Sequence, residues 1–152
     1  MKIYFAGPLF TLAERRFNEE LSAELRRRMP ALDIFFPQVC DHDLQGKPDF
    51  AARLYRVLIE AVDRSDAVVA ILDGSDSDSG TCIEIAYAHA KGKPVIGVRT
   101  DFRDGEIHGL NIMTAGICSA IVKLPSTTCT IADVAEKVVE ALKCQGAGGL
   151  SA

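Results

Sequence analysis

The sequence predicts an α/β fold in which helices cover both faces of a mostly parallel, five-stranded sheet, giving a three-layer sandwich. Strand-like and helix-like segments alternate along the chain, which is typical of repeated βαβ units. The segment 67–72 contains only Ala, Val, Ile and Leu, as expected for a strand buried on both faces of a parallel sheet. The 152 residues match the length of one domain. We assign that domain to residues 1–144 and expect a flexible, Gly-rich tail at 145–152.

Each element follows from the spacing of its apolar residues. A short apolar run that ends at Gly, Pro or polar residues predicts a strand, and apolar residues three or four positions apart among charged ones predict a helix. The predicted strands are 2–6, 34–36, 67–72, 94–98 and 120–124, and the predicted helices are 12–28, 50–64, 81–91 and 131–143. Thr130, with Asp133 three residues later, resembles a capping box at the start of the last helix.

The predicted order of elements also indicates where a site would lie. In doubly wound sheets, ligands bind beyond the carboxyl ends of the strands. The loops that follow those ends are 7–11, 37–49, 73–80 and 100–115. We therefore expect the functional residues to lie in these loops or next to them.

Composition and charge exclude several classes of function. The 17 basic and 21 acidic residues give a net charge of −4, which does not favour binding to a nucleic acid polymer. The longest apolar run, 67–72, is far shorter than the roughly 20 residues that cross a bilayer, so no membrane partner is predicted. The five cysteines are odd in number and form no C-x-x-C pair, which indicates thiols in a reducing cytoplasm. The three histidines lack metal-ligand spacing.

Acidic residues are concentrated where the third predicted strand meets the next helix. Asp73, Asp76, Asp78 and Glu84 crowd this junction without the spacing of a calcium loop. A helix that begins near position 81 places Glu84 in its first turn, where free N–H groups and the helix dipole favour the ionised carboxylate. Such a carboxylate in a cleft can attack an electron-poor carbon. The alternative is structural: Asp78 or Ser79 caps the helix, and Glu84 only complements the dipole.

Five short segments occur in order between about residues 3 and 124. They are Y-F-A-G-P-L-F at 4–10, S-D-A-V-V-A at 65–70, D-S-G-T at 78–81 with Glu84 three residues on, G-K-P-V at 92–95, and G-L-N-I-M at 109–113. Together they resemble the nucleoside 2-deoxyribosyltransferase family. The resemblance implies a flavodoxin-like fold and base exchange on a 2′-deoxynucleoside through a covalent 2-deoxyribosyl enzyme, without a metal or organic cofactor. It also implies a nucleoside and a free base as partners, and a homo-oligomer with shared active sites.

The resemblance further implies roles for individual residues. Glu84 is the expected nucleophile, Tyr4 the phenol that orients it, and Asp78 a ligand of the sugar hydroxyls. Asn111 is expected to contact the 5′ end of the sugar in a neighbouring subunit's site. The expected substrate-binding residues are Gly7, Phe10, Gln45, Asn111 and Met113. Structural interpretations stay open: Tyr4 and Phe10 as core aromatics, and Asn111 as a turn residue.

The sequence departs from the family pattern at Leu58, where many members carry an acid that assists the leaving base. Glu60 and Asp63 lie on other sides of the same predicted helix. Base protonation and base preference are therefore open, and His42 or Gln45 are candidates for contacting the base.

The residues also allow two competing functions. One is an N-glycoside hydrolase, because water can attack the same covalent intermediate. If its substrate were a 5′-monophosphate, Arg99, Arg103 and Ser119 would be the candidate phosphate ligands. The other is a non-catalytic nucleoside-binding module, since a fold does not fix a function.

Overall fold

The computed structural model describes residues 1–40, 46, 48–104 and 107–147. Within these ranges the strands are β1 (Lys2–Ala6), β2 (Asp33–Phe35), β3 (Ala67–Ile71), β4 (Val95–Arg99) and β5 (Ala120–Lys123). The helices are α1 (Leu12–Arg28), α2 (Phe50–Arg64), α3 (Ser79–Ala90), α4 (Ile112–Gly116) and α5 (Ile131–Ala147), with a 3-10 turn at Pro37–Val39. None of the helices in these ranges is long and apolar enough to cross a membrane.

The strands form one sheet in the order β2-β1-β3-β4-β5, and every pairing is parallel. Strand β1 lies between β2 and β3, with Ile3 opposite both Ile34 and Ala67. The direction of winding therefore changes between β1 and β3, which is the crevice where sheets of this type bind ligands. The predicted α/β sandwich with five strands is confirmed.

The hydrophobic core has two halves, one on each face of the sheet. Side chains alternate along β1, so Ile3 and Phe5 lie with α1 and α5, whereas Tyr4 and Ala6 lie with α2 and α3. Strand β3 is buried along its whole length, as the sequence predicts for a central parallel strand. This alternation turns Tyr4 toward the face that carries α3.

Predicted and observed boundaries differ by two residues or fewer, except at the end of α5. Helix α5 continues to Ala147, so the expected tail from 145 onward begins as helix, and residues 148–152 lie outside the described ranges. The capping box before α5 is confirmed, because the Thr130 N–H donates to Asp133 Oδ2 at 2.8 Å and the Asp133 N–H donates back to Thr130 Oγ1 at 3.3 Å. Helix α4 and the 3-10 turn were not predicted, since neither is long enough to show a helical period.

Candidate active site

A short hydrogen bond links the first strand to the third helix. The Tyr4 hydroxyl donates to Glu84 Oε1 at 2.5 Å, across 80 positions of sequence. Tyr4 is fully buried, and its ring stacks on Phe35 with centroids 5.4 Å apart. Both packing and hydrogen bonding therefore fix the phenol, and the phenol in turn fixes one oxygen of the Glu84 carboxylate.

The electrostatics of Glu84 correct the sequence prediction. Because α3 begins at Ser79 and not near position 81, Glu84 lies in the second turn, away from the free N–H groups of the helix start. Burial raises the pKa of Glu84 to about 7; the hydrogen bond from Tyr4 opposes this rise, and the nearby Asp78 charge adds to it. Burial, with Glu84 alongside, also raises the pKa of Tyr4. Tyr4 thus stays a protonated donor, while Glu84 changes charge near neutral pH.

Asp78 caps helix α3. Its Oδ2 accepts from the Thr81 N–H at 2.8 Å and from the Thr81 hydroxyl at 3.0 Å. A cap of this kind stabilises a helix by about 1 kcal/mol, and it is the structural role that the sequence left open. The contact with sugar hydroxyls stays a prediction, and it would fall to Oδ1. No three His, Cys, Asp or Glu side chains in the described ranges are grouped so that they could hold a metal ion.

Asp73, the first residue of the 73–80 loop, binds the backbone that follows β4. Asp73 Oδ1 accepts from the backbone N–H groups of Thr100 at 2.6 Å and Asp101 at 2.9 Å, and Oδ2 accepts from the Thr100 hydroxyl at 2.5 Å. Arg99, at the end of β4, donates back to two carbonyl oxygens beyond the end of β3. We refer to Asp73, Arg99, Thr100 and Asp101 as the β3–β4 brace, because they tie the ends of the two strands together.

The expected substrate-binding residues have different surroundings. Phe10 is 76% exposed, which excludes the interpretation as a core aromatic. Met113 is 73% exposed on the short helix α4. Asn111 caps that helix, with Oδ1 accepting from the Met113 N–H at 2.9 Å, so it has at least the turn role that the sequence left open.

Three further candidates come from the segments that follow β1 and β2 in the sequence. A Cβ at Gly7 would lie 3.1 Å from the side chain of Ile71, so a larger residue would push the loop away from β3. Gln45 and His42 lie outside the described residues.

Position 58, where the family pattern led us to expect an acid, is apolar in this chain. Leu58 packs against the cluster that contains Tyr4. Glu60 pairs with Arg64 at 2.7 Å, and Asp63 accepts from the Tyr87 hydroxyl at 3.0 Å. Both acids thus already accept from a partner side chain, Arg64 or Tyr87.

Sequence reasoning missed two neighbours of the phenol. Phe35 stacks on Tyr4, and Cys40 lies close enough for its thiol to contribute to the raised pKa of Tyr4. The pairing of β2 with β1 brings Phe35, and the segment after β2 that carries Cys40, next to Tyr4. Local sequence patterns do not show which strands pair.

A sequence model of the nucleoside 2-deoxyribosyltransferase family matches residues 3–127. The chain belongs to this family. As a member of the nucleoside 2-deoxyribosyltransferase family, it carries Tyr4, Asp78, Glu84 and Asn111 within the matched region.

Individual proteins are similar to this chain in fold or in sequence. The crystal structure of a conserved protein from Enterococcus faecalis V583 is similar with a TM-score of 0.76 and 30% identity, over 93% of this chain and 98% of that chain. A 2-deoxyribosyltransferase from Bacillus psychrosaccharolyticus has a TM-score of 0.68 and 20% identity, over 89% of this chain and 90% of that chain, and shows the fold alone. An uncharacterized protein of Ureaplasma parvum serovar 3 is 35% identical over 104 residues, which span 62% of this chain and 63% of that protein. The aligned part is thus less than two thirds of that relative's length.

Proposed function

We propose that this family member exchanges the base of a 2′-deoxynucleoside, with Glu84 as the nucleophile. The observation that carries the proposal is the 2.5 Å hydrogen bond from Tyr4 to Glu84 Oε1. It holds one carboxylate oxygen and leaves Oε2 to approach C1′ of a bound sugar. Membership in the nucleoside 2-deoxyribosyltransferase family supports the substrate class.

The reaction has two steps at C1′. First, Glu84 Oε2 forms a bond to C1′ as the bond to the base nitrogen breaks, the electron pair leaves with the base, and the base takes a proton from water. Then a nitrogen of a second base attacks C1′, loses its proton to water, and releases the Glu84 carboxylate. Both transition states resemble an oxocarbenium ion, which an adjacent carboxylate stabilises. The cation forms more readily in 2-deoxyribose, which lacks the electron-withdrawing 2′-hydroxyl.

Tyr4 tunes the nucleophile in this scheme. Its donation to Oε1 favours the ionised carboxylate, against the burial that favours the neutral acid. The same burial keeps the carboxylate poorly solvated, so little reorganisation of water precedes attack. Tyr4 therefore raises the ionised fraction of Glu84 without adding a competing charge.

The test is incubation with deoxyadenosine and free cytosine. New deoxycytidine supports transfer, whereas adenine without deoxycytidine indicates hydrolysis, and binding without turnover indicates a non-catalytic module. When cytosine is omitted, mass spectrometry should find a deoxyribosyl adduct on the peptide that contains Glu84. An adduct on a different residue would contradict the assignment of the nucleophile.

The contacts of the candidate phosphate ligands favour a nucleoside over a 5′-monophosphate. Arg99 is 2% exposed and donates to backbone carbonyls, and Arg103 pairs with Asp101. The Ser119 hydroxyl accepts from the Val95 N–H at 3.2 Å, at the amino end of β4 and the opposite edge of the sheet from the loops. Arg99 and Arg103 both approach Asp101 Oδ2, whose charge opposes a phosphate there, and Ser119 lies at the opposite edge of the sheet. We therefore expect deoxyadenosine to react and its 5′-monophosphate not to react.

We further propose that Asn111 serves the site of a neighbouring subunit in a homo-oligomer. Ile112 and Met113, beside it, expose 59% and 73% of their surfaces, an apolar surface that a second copy would cover. Mixing inactive Glu84→Gln chains with inactive Asn111→Ala chains should restore part of the activity, since some mixed sites hold both native residues. Recovery of no activity after confirmed subunit exchange, or full activity of a monomer, would overturn this arrangement.

A further inference from the structure

Thr81, in the first turn of α3, donates twice to the residue that caps the helix. Its side chain is buried, with 1% of the residue exposed. The Thr81 N–H lies 2.8 Å from Asp78 Oδ2, and the Thr81 hydroxyl lies 3.0 Å from the same oxygen. A helix cap requires only the bond from a backbone N–H. The hydroxyl bond is therefore additional to the cap.

Two donors on one oxygen fix the orientation of the Asp78 carboxylate. Rotation about the Cβ–Cγ bond of an aspartate is soft, and a second donor held by a buried side chain restricts it. Asp78 Oδ1 accepts no hydrogen bond from the residues that the structure describes. The Asp78 charge also raises the pKa of Glu84 on the same helix, so the two carboxylates are neighbours. Asp78 thus presents one oxygen, in a fixed direction, near the proposed nucleophile.

We propose that Thr81 is a positioning residue whose hydroxyl fixes Asp78 so that Oδ1 accepts a hydrogen bond from a hydroxyl group of the sugar. This inference rests on the proposed function. Thr81, Asp78 and Glu84 belong to one helix start of one chain, so the arrangement does not depend on the subunit that supplies Asn111. A fixed acceptor cannot turn away when the sugar lacks that hydroxyl. Thr81 therefore increases selectivity for sugars that carry it.

The experiment measures affinity ratios by calorimetry. The affinity of 2′-deoxyadenosine is divided by that of 2′,3′-dideoxyadenosine and by that of 2′,5′-dideoxyadenosine, each of which lacks one sugar hydroxyl. All proteins carry Glu84→Gln, so that turnover does not compete with binding. Asp78→Ser keeps an oxygen that can cap α3 but removes Oδ1, and the ratio that it lowers identifies the hydroxyl bound by Asp78.

Thr81→Val keeps the shape of the side chain but deletes its hydroxyl. It should lower the ratio identified by Asp78→Ser by about tenfold, since displacements of about 1 Å have costs of this order or greater. Thr81→Ser keeps a hydroxyl and should preserve the ratio. The inference is overturned if Asp78→Ser lowers neither ratio, if Thr81→Val preserves the identified ratio, or if Thr81→Ser lowers it as much as Thr81→Val does.

Thr130→Val is the matched control for a purely structural role. It deletes the 2.7 Å bond from a threonine hydroxyl to Asp133 Oδ2 at the start of α5, which packs on the other face of the sheet. This variant should lower Tm but keep both affinity ratios. If it lowers the identified ratio as Thr81→Val does, loss of stability explains the change and the inference fails.

A second variant disturbs the same oxygen of Asp78 without changing Thr81. A Cβ at Gly80 would lie 3.2 Å from Asp78 Oδ2, so Gly80→Ala crowds that oxygen. Alanine is favoured over glycine in a helix, and we expect this variant to fold. It should lower the identified ratio. If Thr81→Val does not fold, an unchanged ratio in Gly80→Ala overturns the inference.

Binding separates this inference from the proposed function. A wild type that binds 2′-deoxyadenosine but does not transfer its sugar contradicts the proposed function alone, and the affinity ratios still test Thr81. A wild type that transfers the sugar, together with a Thr81→Val protein of unchanged ratio, overturns the inference alone. A wild type that binds no nucleoside overturns both.

Discussion

Glu84 and Asp101 are both carboxylates near the carboxyl edge of the sheet, but their surroundings differ. Glu84 is partly buried and has one side-chain donor among the described residues, Tyr4, so burial dominates and its pKa rises to about 7. The Arg103 guanidinium and N–H hold the pKa of Asp101 well below its usual range, and the Gly74 N–H also donates to it. A carboxylate with many donors is fixed as an anion that organises loops, whereas one with a single donor retains reactive lone pairs. The number of donors, and not the number of acids in the loop, distinguishes the proposed nucleophile from the other carboxylates.

Removing the charge at Glu84 should have the largest effect. Glu84→Gln keeps the shape but removes the nucleophilic oxygen anion, so we expect kcat to fall by about 10³-fold or more. Base exchange followed by chromatography measures this change. Glu60→Gln is a control, because among the described residues that exposed acid pairs with Arg64 on its own helix. Substantial exchange by the Glu84→Gln protein would place the nucleophile elsewhere.

Removing the single donor should have the next largest effect. Tyr4→Phe preserves the ring that stacks on Phe35 but deletes the hydroxyl, so kcat/KM should fall by about 10- to 100-fold. Because the lost hydrogen bond lowers the pKa of Glu84 in the wild type, that pKa should rise in the variant. The acidic limb of the pH profile should therefore move to higher pH. A limb that stays in place would show that Tyr4 does not tune Glu84.

The wild-type pH profile is itself a test. With a pKa of about 7, the ionised fraction of Glu84 should fall from about one half to about one tenth between pH 7 and pH 6, and the rate with it. Single-turnover rates with deoxyadenosine across this range measure the effect. A rate that is flat down to pH 5 would mean that Glu84 is already ionised there.

Neutralising one carboxylate should change the free energy of unfolding in opposite directions in the two regions: it should fall for Asp73→Asn in the β3–β4 brace and rise for Glu84→Gln at alkaline pH. Asp73→Asn removes hydrogen bonds from the β3–β4 brace and should lower the free energy of unfolding by about 1–3 kcal/mol, or Tm by about 2–10 °C. Glu84 has a folded pKa above its ordinary 4.5, so its stabilising contribution is present below pH 4.5 and is lost as pH rises to about 7.

Glu84→Gln should therefore raise the free energy of unfolding only at pH values where Glu84 is ionised in the wild type, above about pH 7. At pH 8 we expect a gain of about 1 kcal/mol after allowance for partial exposure, which corresponds to about 2–4 °C in Tm. At pH 4.5 the variant and wild type should have similar Tm values. Calorimetry at both pH values checks the sign, and a lower Tm for Glu84→Gln at pH 8 would contradict the raised pKa.

Much of the architecture follows from local patterns. The alternation of apolar runs and amphipathic segments predicts each strand of the sheet, and the all-apolar run at 67–72 predicts its buried centre. Helix starts are less certain, as α3 shows: Asp78 supplies the cap, so the helix begins two residues before the predicted position and Glu84 moves out of the first turn. The shift removes the stabilisation of the anion expected from the helix start, whereas the rise in the pKa of Glu84 comes from its burial.

The sequence by itself determined the fold class and the loops that face the carboxyl edge, and its resemblance to the family implied Tyr4 and Glu84 as partners. The tertiary structure decided their surroundings: the burial that raises the pKa of Glu84, the stacking of Phe35 on Tyr4, and the donation of Arg99 to two carbonyl oxygens beyond β3. The physical reason is the separation in sequence over which each effect acts. Periodicity and caps act within a few residues, whereas burial and donor number depend on groups such as Tyr4 and Glu84, which lie 80 positions apart until the sheet brings them together.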